Sequence, residues 1–213
     1  MWLFFCVLCY DSIMEIILAT HNQDKVKEIA AILKLSAVKL RSLSELGIDA
    51  DVDETGTSYS ENALIKARHA HAQLGGLVLA DDSGLSIDLL DGYPGIYSAR
   101  FAGERVSYPE KIEYIWQLLA DYPQEQWTAA FHCALAFINH QGKEYIFSGE
   151  CRGKIISEMR GEHGFGYDPI FYMPEYQMTT AEMDPQLKNM ISHRALAFAK
   201  FNDFLQEQYS GEL

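Results

Sequence analysis

Short apolar runs alternate along the chain with longer stretches of helical spacing, and this alternation gives the first outline of a fold. Residues 15–19 read as a strand entering the polar turn Thr20-His21-Asn22-Gln23-Asp24-Lys25. Val26, Ile29, Ala30 and Leu33 follow at the i, i+3, i+4, i+7 spacing of one helix face. A second short strand is predicted over residues 38–40, then the acidic loop Asp49-Ala50-Asp51-Val52-Asp53-Glu54-Thr55-Gly56. Ser58 with Glu61 three residues later reads as a capping box for a helix over Tyr59–Leu74, which Gly75-Gly76 stops. Leu77-Val78-Leu79-Ala80 is a short buried strand ending at Asp81-Asp82, and Leu85, Ile87 and Leu89 alternate as a further strand would.

Beyond a loop with Gly92, Pro94 and Gly95, Ser107 and Glu110 make a second capping box, with Pro109 in the first turn of a helix reaching about Ala120. Residues 128–138 and 144–152 form a hairpin around Asn139-His140-Gln141-Gly142. A strand over residues 154–157 precedes a glycine-rich loop over 161–166. Asp184-Pro185 supplies an N-cap and first-turn proline for one last helical region reaching about Gln206. Strands and helices interleave with no internal repeat, so the class is α/β on a mixed sheet.

An apolar fraction of 48% over 213 residues supports one substantial domain, or two lobes around one cleft, with a full core. Seventeen basic against thirty acidic residues give a net charge of −13, which argues against a general nucleic-acid-binding surface. A phosphate ligand must be met by individual Lys and Arg residues and a cation, not by a global field. Cys6 and Cys9 form a lone C-x-x-C without a second pair to complete a zinc site, and Cys133 lies in an apolar run typical of a core residue. No disulfide scaffold is indicated, so a reducing cytoplasm is expected. Residues 1–13 are apolar, too short to span a membrane, and lack the basic start and cleavage site of a secretory signal. They read as an upstream extension, with Met14 as the physiological start, residues 14–208 as the domain and 209–213 as a tail.

Several clusters suit a metal-bound nucleotide. The turn from Thr20 to Lys25 resembles a phosphate cradle: a helix start offers N–H groups and a positive dipole end, with Asn22 and Lys25 adding a donor and a charge. It lacks the glycines of a Walker loop. Asp81-Asp82 at the end of an apolar strand can hold a divalent metal or activate water, with Ser83 a donor to phosphate and Gly84 open to close backbone approach. Asp53 and Glu54 lie in a second acidic loop able to reach the same metal. Lys66 sits in the Ser58-capped helix. Phe165-Gly166-Tyr167-Asp168 offers two aromatics flanking a glycine as a slot for a base, with Asp168 to accept from ring N–H groups. Lys188 and Ser192-His193-Arg194 can pair with phosphate or donate to a purine carbonyl. Each cluster taken alone also fits an ordinary cap, turn or charged helix surface.

Taken in order, these motifs resemble the inosine triphosphate/xanthosine triphosphate pyrophosphatase family from Met14 to about Leu205. The resemblance rests on Thr20–Lys25, Glu54-Thr55-Gly56, Glu61-Asn62-Ala63 with Lys66, Ala80-Asp81-Asp82-Ser83-Gly84-Leu85, Pro94-Gly95-Ile96-Tyr97-Ser98-Ala99-Arg100, Phe165-Gly166-Tyr167-Asp168-Pro169 and Ser192-His193-Arg194. It implies an elongated mixed sheet flanked by helices, with two lobes and an active-site cleft between them, usually as a homodimer. It also implies Mg2+-dependent hydrolysis of inosine, deoxyinosine and xanthosine triphosphates to monophosphate and pyrophosphate. Thr20, His21, Asn22, Gln23, Asp24, Lys25 and Lys66 would hold phosphates, with Ser83 beside them. Asp82 would activate water or bind the metal. Phe165, Gly166, Tyr167, Asp168, Lys188, His193 and Arg194 would hold the base and neighbouring groups. The family often has two glutamates before Thr-Gly; here the first is Asp53, leaving open whether Asp53 or Glu54 reaches the metal.

Overall fold

The computed structural model describes residues 13–33, 37–48, 52–103 and 105–209. The leader up to Ser12 with Cys6 and Cys9, residues 49–51 of the acidic loop and the tail from Ser210 lie outside these. The strands are β1 (Met14–Leu18), β2 (Val38–Ser42), β3 (Leu77–Ile87), β4 (Thr128–Ile138), β5 (Glu144–Ile155), β6 (Phe171–Met173) and β7 (Met178–Thr179). The helices are α1 (Gln23–Ile32), α2 (Tyr59–Leu74), α3 (Tyr108–Leu119), α4 (Pro185–Ile191) and α5 (His193–Tyr209). The sheet runs β2-β1-β3-β4-β5-β6-β7, parallel at β2-β1-β3 and antiparallel beyond. No described helix is long and apolar enough to cross a membrane.

Three expectations about the elements change. The acid pair does not end a strand: β3 continues through Asp81 and Asp82 to Ile87, in unbroken antiparallel register with β4 from Val78↔Ile138 to Ile87↔Ala129. The pairing carries the strand where the apolar run gives out, and Leu89 falls in a 3-10 turn, Asp88–Leu90. The strand expected over residues 154–157 is the end of β5, held by Ile155 N–H donating to the Trp127 carbonyl at 2.8 Å. The last helical region is two helices, broken at Ser192 (φ −66°, ψ 159°). The Ser192 N–H closes α4 onto the Lys188 carbonyl at 2.9 Å, while its Oγ accepts from Ala195 N–H at 3.2 Å and so caps α5.

Both capping serines act, in different ways. At α3, Ser107 and Glu110 form the full reciprocal box. At α2, Ser58 Oγ accepts from Glu61 N–H at 3.2 Å, but the Glu61 carboxylate turns to Thr57 instead, at 2.6 Å from its N–H.

Alternation along the central strands sorts side chains onto two faces. On one face Ile16, Leu18, Leu79, Leu135 and Phe137 pack under Ile29 of α1 and Phe198, Phe201 and Leu205 of α5. On the other, Ala63, Ala67 and Ala70 bring α2 close onto Val78, Ala80, Ala134 and Ala136. A third cluster, at the far end of the long strands, joins Leu85, Ile87, Phe131 and Phe171 to Ile112, Ile115 and Leu119 of α3. β1 pairs with β3 only from Ile16↔Leu77 to Leu18↔Leu79. Past that point no described strand flanks β3 on the β1 side until Ser86 bridges Pro94, and a cleft opens between the two ends of the molecule. This is the general position for ligands in open α/β sheets, outside the carboxyl end of a parallel strand.

Two glycines let elements approach β3 and β5 closely. A Cβ on Gly84 would lie 2.4 Å from the Gly95 carbonyl oxygen, so the close approach is that of the Gly95–Tyr97 turn. A Cβ on Gly149 would lie 2.1 Å from the His193 carbonyl oxygen, so α5 starts directly against β5.

Candidate active site

The cleft, about 320 Å3, is floored by the middle of β3. The same two-residue alternation that builds the core splits the acid pair. Asp81 points to the α1/α5 face and Asp82 to the α2 face, so adjacent carboxylates enter separate networks.

On the first face charges alternate in one chain. Lys25 Nζ is 2.9 Å from Asp81 Oδ1, and Arg194 Nη2 is 3.1 Å from Asp81 Oδ2. Arg194 also donates to Ser83 Oγ at 2.9 Å and to Glu28 Oε2. Lys188 lies 3.4 Å from Glu28 Oε1 and donates to Asp168 Oδ2 at 2.6 Å. Burial pushes the Asp81 carboxyl upward, but Lys25, Arg194 and Lys66 outweigh it and hold the group well below the usual carboxylate range. Burial disfavours the charge on Arg194 and Lys188, yet their carboxylate partners raise both above their ordinary values. His193, buried and stacked on Phe131 at 4.9 Å, is driven well below the usual imidazole value by burial, then by Arg194 and Lys188. It is neutral at pH 7.

On the second face Lys66 donates to Glu54 Oε1 at 2.6 Å and to Asp82 Oδ1 at 3.2 Å. Arg100 donates to Glu54 Oε2 at 2.9 Å, and Asn62 Nδ2 to Asp82 Oδ2 at 3.3 Å. Burial raises the Asp82 carboxyl, with Lys66 and Lys25 pulling it back and Glu54 and Asp81 pushing it further up. The net result is a carboxylate more basic than usual, suited to accept a proton from water. Glu54 goes the other way: burial raises it, but Lys66 and Arg100 hold it ionised.

The predicted residues divide clearly in place. Thr20, His21, Asn22, Lys25, Lys66, Asp82, Ser83, Phe165, Gly166, Tyr167, Asp168, Lys188, His193 and Arg194 all line the cleft, whereas Gln23 and Asp24 do not and are exposed. Asn22 Oδ1 takes the N–H groups of Asp24 and Lys25 at 3.0 and 3.1 Å, so the helix start is already capped. Of the second acidic pair, Glu54 faces the cleft and Asp53 is exposed. An open slot between Phe165 and Tyr167 does not form. Tyr167 is buried, its hydroxyl donating to the Ser98 carbonyl at 3.0 Å and its ring edge-on to Tyr108. Phe165 instead lies under the cations of Lys188 and Arg194, at 5.4 and 5.8 Å from its centroid. Asp168 is bound by Lys188, by Phe165 N–H at 2.8 Å and by Thr180 Oγ1 at 2.8 Å. Lys188, His193 and Arg194 are buried, not a charged helix surface.

Glu28, Asn62 and Arg100 complete the networks: Asn62 and Arg100 stood in motifs of the resemblance with no role given to them, and Glu28 stood in none. Glu28 gave one signal, lying one helical turn after Lys25. Asn62 is fully buried near a helix start, where a solvated polar residue is the simpler reading.

Glu54 and Asp82 converge on the single ammonium of Lys66, which shows that a cation fits between them. Among the described residues no three His, Cys, Asp or Glu side chains gather as a protein-only metal cage. Two carboxylates facing a cleft match magnesium, which takes few protein ligands and completes its shell with water and phosphate.

Comparisons with known proteins identify the family of the chain. The model of the Ham1 family matches residues 16–204. The chain is 44% identical over 196 residues to a dITP/XTP pyrophosphatase of Desulforamulus reducens, spanning 92% of this chain and 98% of that one. It is 42% identical over 204 residues to a dITP/XTP pyrophosphatase of Bacillus cereus, spanning 95% and 100%. Among solved structures, a HAM1 protein from Coxiella burnetii superposes with a TM-score of 0.82 at 43% identity, covering 91% of this chain and 99% of that one. The Staphylococcus aureus Ham1 protein gives 0.82 at 38% identity with the same coverage. Family model, sequence relatives and fold agree over nearly the whole described chain, which belongs to the Ham1 family.

Proposed function

We propose that this chain hydrolyses the triphosphates of inosine, deoxyinosine and xanthosine to monophosphate and pyrophosphate, removing deaminated purines from the nucleotide pool. The observation that carries the reading is the basic, buried carboxylate of Asp82 in mid-cleft. It is flanked by Lys25 and Lys66 on the phosphate side and by His193, Phe131 and Phe165 on the other. The names of the relatives support the same activity.

In this reading Asp82 accepts the proton of the attacking water, and Asn62 fixes its orientation. Lys25 and Lys66 neutralise charge building on the phosphoryl oxygens. Mg2+, which Glu54 and Asp82 would hold, supplies charge neutralisation for the leaving pyrophosphate. Neutral His193 can donate one ring N–H to the 6-oxo group of hypoxanthine or xanthine. The 6-amino group of adenine would leave that N–H unpaired, a mismatch of about 1–3 kcal/mol. The guanidinium of Arg194 is committed to Asp81, Glu28 and Ser83, so it shapes the pocket while His193 meets the base.

The resemblance supports a homodimer, with residues 14–208 as the working domain; the free, buried Cys133 and Cys151 suit a reducing cytoplasm. Sedimentation and intact-mass measurements test these points. Product analysis over inosine, xanthosine, guanosine, adenosine and pyrimidine triphosphates tests the activity. Pyrophosphate with monophosphate is expected from the 6-oxo purines; orthophosphate release would overturn the mechanism.

A further inference from the structure

The cleft continues past the two carboxylates to a stretch of wall that the mechanism above leaves unused. α2 starts beside Ser86, where the Tyr59 hydroxyl lies 3.2 Å from Ser86 Oγ, and runs back along the sheet so that Ala70 packs near Val78 and Ala80. Lys66 reaches Asp82 from the middle of this helix. His69 lies three residues later, about 4.5 Å further along the axis and on the neighbouring part of the same face. The base wall lies in the opposite direction: Phe131 pairs with Leu85, beyond Asp82 along β3, and His193 stacks on it. With the base there and the α-phosphate at Asp82, the outer phosphates extend toward His69. His69 lines that end of the cleft together with the apolar side chains of Leu43, Val52 and Ala70.

The proton on the His69 ring is placed by a neighbour. The Gln73 amide nitrogen lies 2.7 Å from His69 Nε2. An amide nitrogen only donates, so Nε2 accepts, which leaves the ring hydrogen on Nδ1. That N–H is a donor at a point where leaving phosphates need one and the adjacent apolar walls supply none.

We propose that His69 binds the outermost phosphates, which leave as pyrophosphate, and that Gln73 sets the tautomer that lets it do so. This rests on the triphosphate reading of the cleft. Calorimetric titration of the full chain with magnesium, using pyrophosphate and inosine monophosphate separately as probes, tests it. His69→Ala is expected to weaken pyrophosphate binding about 10-fold or more and to leave monophosphate binding within about 2-fold. Gln73→Leu, an exposed change outside the cleft wall, is expected to weaken pyrophosphate about 2–3-fold through the lost tautomer preference. Unchanged pyrophosphate affinity in both variants, or equal weakening of both probes, would overturn the proposal. Wild-type protein that binds neither probe would instead sink the pyrophosphatase reading itself.

Discussion

Asp81 and Asp82 are neighbours in sequence and opposites in environment: Asp81 sits between Lys25 and Arg194 as a fully ionised anchor, while Asp82 faces Lys66 with its carboxyl raised by burial. Strand alternation alone separates them. Their substitutions are therefore expected to separate activity from stability.

Asp82→Asn is expected to lower kcat by about 10²–10⁴, the usual range for losing a positioned base. Its folding stability should not fall, because burial disfavours the Asp82 charge and Lys66 keeps Glu54 as a partner. Steady-state kinetics beside urea unfolding checks both halves; a large stability loss with activity retained would contradict the assignment.

Asp81→Asn leaves Lys25 and Arg194 without their shared buried anion, and is expected to cost about 3–5 kcal/mol at pH 7. The folded carboxyl is depressed, so its stabilisation is present above the unfolded value of about 3.9 and is lost as pH falls below it. The deficit of the variant in urea midpoint should accordingly shrink in strong acid.

Glu54→Gln and Asp53→Asn are expected to behave differently, since only Glu54 reaches Lys66 and Arg100. The Glu54 change should raise the magnesium concentration needed for half-maximal rate by about 10-fold or more. The exposed Asp53 change should leave it nearly unaltered. Metal titration of initial rates decides the matter, and equal effects would count against Glu54 as the cleft-facing member of the Asp53–Glu54 pair.

His193 supplies a pH-dependent contribution of opposite origin to that of a salt-bridged histidine. Its folded value lies well below the unfolded value of about 6.5, so the unfolded chain binds a proton that the folded chain refuses. Stability is full above about pH 6.5 and declines as pH falls through the interval down to the folded value. Replacing His193 by Gln should flatten urea midpoints over that interval, measured in half-unit pH steps.

Gly149→Ala places a Cβ 2.1 Å from the His193 carbonyl oxygen, and the start of α5 must move to accommodate it. About 1–3 kcal/mol of stability should be lost. Because His193 moves with the helix, affinity for inosine monophosphate should fall while affinity for pyrophosphate holds, a difference that direct binding measurements resolve.

Much of this molecule is written locally. Helix α2 begins and ends where Ser58 and Gly75 place it, and α3 where Ser107 and Glu110 do, because caps satisfy backbone groups within a few residues. The apolar spacing of Val26, Ile29 and Leu33 and the runs of β1, β4 and β5 follow from periods of 3.6 and 2. The motif residues Lys25, Lys66, Asp82, Lys188 and His193 were equally visible as chemistry.

What the sequence determined, then, was the order and type of elements and the stock of reactive groups, since propensity, capping and periodicity act over a few residues. Only the tertiary structure decided that β3 runs on through its two aspartates, because pairing with β4 outweighs the local loss of apolar character. It also decided that Ser192 splits one helix into two, that Tyr167 packs inward beside Tyr108, and that Glu54 and not Asp53 turns to the cleft. Above all it brought Glu28 to Arg194 and Asn62 to Asp82, pairs far apart in the chain. Buried charges and amides must find partners wherever folding puts them, and no local rule says where that will be.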